Sequence, residues 1–188
     1  LKSCTRVHHK ARELGATVIY DSIGVGAGCG AKFNELNQTN KCSVKHAKFN
    51  AGAAVVKPEA LYERAAGIKN KDFFTNLKSQ SWWCVADRFR LTYQVVNAIK
   101  NGETPPPYQL DELISISSKC PNLEKLKMEL SIPMRDFDNN GRVKVESKKD
   151  LAKRDIKSPN IADSFIMAYA PINSGLNIRP DALKGLFP

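Results

Sequence analysis

Three observations mark this chain as an α/β domain. Residues 1–14 carry apolar side chains three and four positions apart (Cys4, Val7, Ala11, Leu14), which is helical spacing. Thr17 to Tyr20 is then a short unbroken apolar run, of the kind that is buried on both faces of a parallel sheet. A glycine-rich turn, Gly24-Val25-Gly26-Ala27-Gly28-Cys29-Gly30, follows it and opens another helix. The alternation of helix and strand predicts parallel pairing.

The elements follow in order. Gly15 is placed to end the first helix. The second runs from Ala31 to Leu36 and is stopped by the polar stretch Asn37–Asn40, and Ser43 to Phe49 is the next strand. Residues 55–71 show no clear period. Asp72 is a suitable N-cap for a long helix reaching Lys100, which Asn101-Gly102 and Pro105-Pro106-Pro107 terminate. A short helix spans Leu123 to Leu130. Residues 131–147 read as a hairpin about Asn140-Gly141, a type I′ turn signal. In the last helix Ser158 serves as cap and Pro159 as first residue, with Ile161, Phe165, Ala168 and Tyr169 on its apolar face. The whole reads as one domain, with a core over about 1–170 and a tail over 171–188.

Composition narrows the function. The 188 residues, 42% of them hydrophobic, can build one real core. The formal charge is +10, from 29 Lys+Arg against 19 Asp+Glu, which favours a polyanionic partner, nucleic acid before membrane. No run of about 18 apolar residues suggests a membrane span, and the N-terminal residues lack the apolar core of a secretory signal. The five cysteines are widely spaced without a CxxC pair, which argues for free thiols rather than a zinc ribbon.

Two aspartates in different settings are the leading site candidates. Asp21 ends the apolar run, and Asp163 lies in the early part of the last helix. A fold can bring such carboxylates together around a hard divalent cation. Asn160, three residues before Asp163, shares its helix face and can approach the same ion. Lys148, Lys149, Lys153, Arg154 and Lys157 form a basic segment just before that helix, suited to DNA phosphates. An acidic metal centre in a basic chain is the composition of an enzyme that cuts nucleic acid.

Other motifs compete. Gly26-Ala27-Gly28-Cys29-Gly30-Ala31 fits a dinucleotide-binding turn, which keeps a nucleotide-binding oxidoreductase open as an alternative. No acidic residue lies between Glu35 and Glu59 to meet a ribose, and Asp21 would sit beside the pyrophosphate. Tight turning and close helix packing explain such glycines equally well. Asp136-Phe137-Asp138-Asn139-Asn140-Gly141 imitates half an EF-hand loop, but Ser147 holds the twelfth position, and the hairpin is the better reading. His8, His9 and His46 have no ligand partners at suitable spacing. Of Trp82 and Trp83, adjacent on a helix, one is expected in the core and one partly exposed.

Several of these stretches together resemble the C-terminal nuclease domain of the large terminase subunit of tailed bacteriophages, prophage type. They are Tyr20-Asp21-Ser22-Ile23-Gly24-Val25-Gly26-Ala27-Gly28 with Asn34-Glu35-Leu36, then Asn76-Leu77-Lys78-Ser79-Gln80-Ser81-Trp82-Trp83, and Lys157-Ser158-Pro159-Asn160-Ile161-Ala162-Asp163. Pro121 to Leu130 is similar as well, and the likeness runs from about Ala16 to Tyr169. It implies an RNase H-like mixed sheet flanked by helices, here with an inserted or appended hairpin. It also implies a metal-dependent endonuclease that cuts concatemeric double-stranded DNA by two-metal hydrolysis, with Mg²⁺ or Mn²⁺. Asp21 corresponds to the family's second acidic residue and Asp163 to its last. The family's first catalytic Asp lies on an opening strand that this chain is expected to lack, so a DNA-binding remnant without catalysis is the alternative. The implied partners are double-stranded DNA, the small terminase subunit, the portal protein and the packaging ATPase domain, and no membrane. The implied location is the host cytoplasm.

Overall fold

The computed structural model describes residues 2–172. The part of the expected tail from 173 onward lies outside the described residues. Helix α1 (Lys2–Leu14) leads to strand β1 (Val18–Asp21), a 3-10 turn (Gly24–Gly28), helix α2 (Cys29–Thr39) and strand β2 (His46–Phe49). Gly15, at φ 60°, ends α1, as its position suggests. β1 and β2 are parallel, with Asp21 opposite Phe49. α2 continues through Asn37 instead of stopping there, because the Asn37 side chain is used inward. It bridges the N–H and C=O of Val44 and meets His8 at 2.9 Å.

Residues 50–69 are mostly irregular and precede a single turn, α3 (Asn70–Phe73). The long helix α4 (Leu77–Lys100) is capped by Asn76, whose side chain accepts from the Ser79 N–H, and not by Asp72. The reason is tertiary. Phe74 is buried and bridges to Val143, and Thr75 N–H donates to the Val143 carbonyl, so the chain is pulled extended just where local propensity would continue a helix.

Helix α5 (Leu123–Ser131) is followed by a hairpin of β3 (Arg135–Phe137) and β4 (Val143–Val145). Its turn is not type I′. Gly141 alone has positive φ, Gly141 N–H donates to Asp138 O, and Asp138 N–H donates to Arg142 O, giving a three-residue loop. The basic segment is not an open strand of chain: Lys148–Lys153 forms helix α6, capped by Ser147. Helix α7 (Asn160–Ala168) starts one residue later than expected. Pro159 is its cap residue, and Ser158 Oγ is buried without a partner.

The described strands form two separate two-stranded sheets, not one mixed sheet. The β1–β2 sheet is covered on both faces. Val18 and Tyr20 pack with Cys4, Ala11 and Phe33 of α1 and α2. Ile19 points the other way and joins Phe49, Leu77, Met167 and Ala170. A third cluster, around Trp82, Val85, Val145, Ala162 and Ile166, ties α4, β4 and α7 together. Trp82 is thus core, and Trp83 is only partly buried against the same cluster, as adjacency requires. No helix among the described residues is long and apolar enough to cross a membrane.

Candidate nuclease site

Asp21 stands exposed at the C-terminal end of β1, and its Oδ1 accepts from the Ile23 N–H at 3.0 Å. This small loop turns the chain into the glycine segment. Ser22 fixes the strand end through its N–H and Oγ, both donated to the Phe49 carbonyl. The glycines are used for close packing. A Cβ on Gly26 would collide with the Asp21 carbonyl oxygen, and one on Gly30 with the Tyr20 hydroxyl. Gly24 also needs its freedom, at φ 61°. The turn is therefore wrapped against the residue it follows, which accounts for its composition without a dinucleotide.

Asp163 lies in the first turns of α7, and its Oδ2 meets Lys148 Nζ at 3.0 Å, with the carboxylate side chain 23% exposed. Lys78 also faces this group. Its Nζ donates to the Glu146 carbonyl at 3.0 Å, and burial pushes its pKa down against the opposing pull of Asp163. The Glu146 carboxylate is buried beneath, accepting from Met134 N–H and from Arg154 at 2.6 Å. Those bonds hold its pKa below the usual glutamate value, the Met134 N–H contributing most.

Side chains alternate along a strand, so Asp21 shares the face of Ile19. Met167 is four residues beyond Asp163 and on the same helical face, and Ile19 and Met167 share one apolar cluster. Asn160, the first residue of α7, is exposed.

The expected phosphate-binding residues divide. Lys148 is engaged by Asp163, Lys153 by Asp150 at 2.7 Å and Arg154 by Glu146. Lys149 and Lys157 are exposed and make no ion pair among the described residues. Asp138 is engaged within the hairpin, accepting from the Asn140 and Arg142 N–H groups and from the Arg142 guanidinium. Among the described residues no group of three or more His, Cys, Asp or Glu is arranged to hold a metal. The histidines have ordinary partners: His8 with Asn37, His46 with Asn34, His9 with Glu13. All five cysteines are free, Cys4 buried and the others half-buried.

Sequence reasoning assigns no role to Lys78 or Glu146. Lys78 does leave a signal: a lysine in the first turn of a helix opposes the helix dipole and calls for a nearby anion. Glu146 leaves none, because its partners come from other elements.

A solved structure of the nuclease domain of the large terminase subunit gp2 of bacterial virus Sf6 matches this chain at 31% identity and TM-score 0.73, over 88% of this chain and 70% of that one. This chain belongs to the terminase large-subunit nuclease family. Variants of the Sf6 nuclease domain align similarly. One determined with manganese and beta-thujaplicinol matches at 29% identity and TM-score 0.74, over 89% and 71% of the two chains. Another, determined with calcium, matches at 29% identity and TM-score 0.72, over 88% and 70%. No family model matches the sequence, and no curated protein does. Membership of the terminase nuclease family, together with the packing of the glycine turn on β1, leaves the oxidoreductase reading without support.

Proposed function

We propose that this chain is a divalent-metal-dependent endonuclease that cuts double-stranded DNA during viral packaging in the host cell. The observation that carries this reading is the likeness to the Sf6 nuclease domain, supported by an exposed aspartate at the end of β1 and a second on α7, two elements that each contribute to one apolar cluster. Asp21 and Asp163, with the Asn160 amide oxygen, would hold Mg²⁺ or Mn²⁺. These are hard oxygen donors that suit such ions, and relatives were solved with manganese and calcium. A pair of such ions, when bound, supplies an activated water and a partner for the leaving oxygen.

The chain's own residues set the conditions for this. Lys148 must give up the Asp163 oxygen before a cation can take it. Lys78, tethered by its bond to the Glu146 carbonyl and facing Asp163, would offer a hydrogen-bond donor to a phosphate bound there. Lys149 and Lys157 would grip the DNA backbone without reading sequence. The small terminase subunit, the portal protein and the packaging ATPase are the partners this role requires. A specific observation favours a second reading, DNA binding without cleavage: the described residues present two candidate carboxylates and no cluster of three.

One assay separates the two. Supercoiled plasmid is incubated with the chain and Mn²⁺ or Mg²⁺, with chelator and the Asp163→Asn variant as controls. Metal-dependent nicking that the variant lacks is the expected result. DNA binding with no nicking in either metal would favour the remnant, and neither activity would overturn both.

A further inference from the structure

Glu129, in α5, is a buried residue, 7% exposed. Its Oε2 accepts two backbone N–H bonds, from Ile161 at 2.7 Å and Ala162 at 3.0 Å. These are the second and third residues of α7, and Asp163 is the next. The first N–H groups of any helix lack partners within it. For those groups the segment before α7 supplies only the Ser158 carbonyl, which accepts from the Asn160 N–H at 2.9 Å; Pro159 occupies the cap position and Ser158 Oγ makes no hydrogen bond, so the Ile161 and Ala162 N–H groups have no acceptor there. Glu129 fills that need from 32 residues away in sequence. Among the described residues its other oxygen meets only Lys125, at 3.8 Å and well exposed, so the two N–H bonds are what make burial of this carboxylate tolerable.

We infer that Glu129 is a positioning residue, which fixes the first turn of α7 and through it the place of the Asp163 carboxylate and the Asn160 amide. The functional half of this rests on the nuclease reading above. α7 is nine residues long, too short to hold its ends without tertiary ties. A full negative charge at the positive end of its dipole strengthens the tie. α5 also packs along α7 through the cluster that includes Leu130, Ala162 and Ile166, so the carboxylate has a rigid base.

The test uses the whole chain with Glu129→Ala and Glu129→Gln. The glutamine keeps an oxygen that can accept both bonds and loses only the charge. Mn²⁺ affinity is read by electron paramagnetic resonance well below each protein's melting temperature, and amide exchange is read at Ile161 and Ala162. Loss of an orienting partner commonly weakens metal binding by roughly 10–100-fold, so E129A should fall in that range, with E129Q recovering most of the affinity. Exchange at both amides should quicken in E129A and stay slow in E129Q. A melting temperature that drops in E129A while Mn²⁺ affinity matches wild type would show a merely structural role and overturn the inference. Should E129A not fold, Glu129→Asp, which withdraws the same charge by one methylene, takes its place: weakened Mn²⁺ binding with faster exchange supports the inference, and wild-type affinity overturns it. If the wild-type chain binds no Mn²⁺, the nuclease reading fails, and exchange alone then decides for Glu129: protection lost in E129A and kept in E129Q supports it, and unchanged protection overturns it.

Discussion

The two aspartates are held in opposite ways. Asp21 is placed by its immediate neighbours: the strand it ends, the Ile23 N–H and the glycine turn folded back on its own carbonyl. Asp163 is placed by residues distant in sequence. Lys148 pairs with it, Lys78 faces it, and the helix beneath it is anchored by Glu129. A site assembled this way has one half encoded in a single contiguous stretch and one half that exists only once the fold is complete. Damage to the first half should be local and steric, and damage to the second electrostatic and transmitted.

The largest effect should come from removing either carboxylate. Asp21→Asn and Asp163→Asn are each expected to abolish metal-dependent nicking; Asp21→Asn should change stability by less than about 0.5 kcal/mol, and Asp163→Asn by roughly 0.2–1 kcal/mol through loss of its Lys148 pair. Plasmid cleavage and denaturant titration check the two halves of that statement. An active Asp21 variant would leave Asp163 to act without it and would break the symmetry of function proposed for the pair.

Gly26→Ala tests the steric half alone. The added methyl meets the Asp21 carbonyl, which is backbone and cannot swing aside. Overpacking of this kind typically costs about 1–3 kcal/mol, visible as a lower denaturation midpoint. The Asp163 side should keep its Lys148 pair.

Changes in the basic segment should be smaller. Lys149→Ala and Lys157→Ala should weaken duplex binding for all sequences alike, and each should reduce the slope of log affinity against log salt by about 0.9 if it holds one phosphate. Lys153→Ala should do less, since Asp150 already occupies that cation. Lys148→Ala should do the reverse for metal. Freeing the Asp163 oxygen is expected to tighten Mn²⁺ binding, by up to about fivefold if the pair is worth the roughly 0.2–1 kcal/mol of exposed ion pairs.

The smallest effect is a pH dependence. The Glu146 carboxyl has a folded pKa below its ordinary 4.5 because Met134 N–H and Arg154 favour the charged form. Its contribution to stability is therefore fully present above about pH 4.5 and is lost as pH falls through the lower folded value. Wild type minus Glu146→Gln stability, measured by denaturant midpoint at successive pH values, should shrink on that acid side and stay level between pH 6 and 8.

The contrast between the two halves also explains what is legible in the sequence. β1, its glycine turn and the parallel partner β2 follow from short-range pattern, and so do the apolar face of α7 and the existence of a hairpin. Local pattern starts α4 at Asp72, and burial of Phe74 with its bridge to Val143 overrides that helix preference. Local pattern also caps α7 with the Ser158 side chain, whereas the side-chain acceptor for its Ile161 and Ala162 N–H groups is on α5. Asn140-Gly141 permits the two positive φ values of a type I′ turn, and only Gly141 adopts one. The basic segment is available for DNA as a whole when read as sequence, yet Lys148, Lys153 and Arg154 are drawn to carboxylates whose positions depend on the fold.

The apolar cluster of Ile19, Phe49, Leu77, Met167 and Ala170 has a mechanical consequence. It is the seam along which the β1–β2 sheet meets α4 and α7, so in the nuclease site proposed above the gap between the two aspartates would depend on how tightly that seam closes. Slackening it by a few tenths of an ångström would put a bound ion's ligands out of tolerance while each flank kept its own packing. Heat should therefore silence the site at a temperature where circular dichroism still records a folded protein, and a smaller side chain at Met167 should widen the interval between the two.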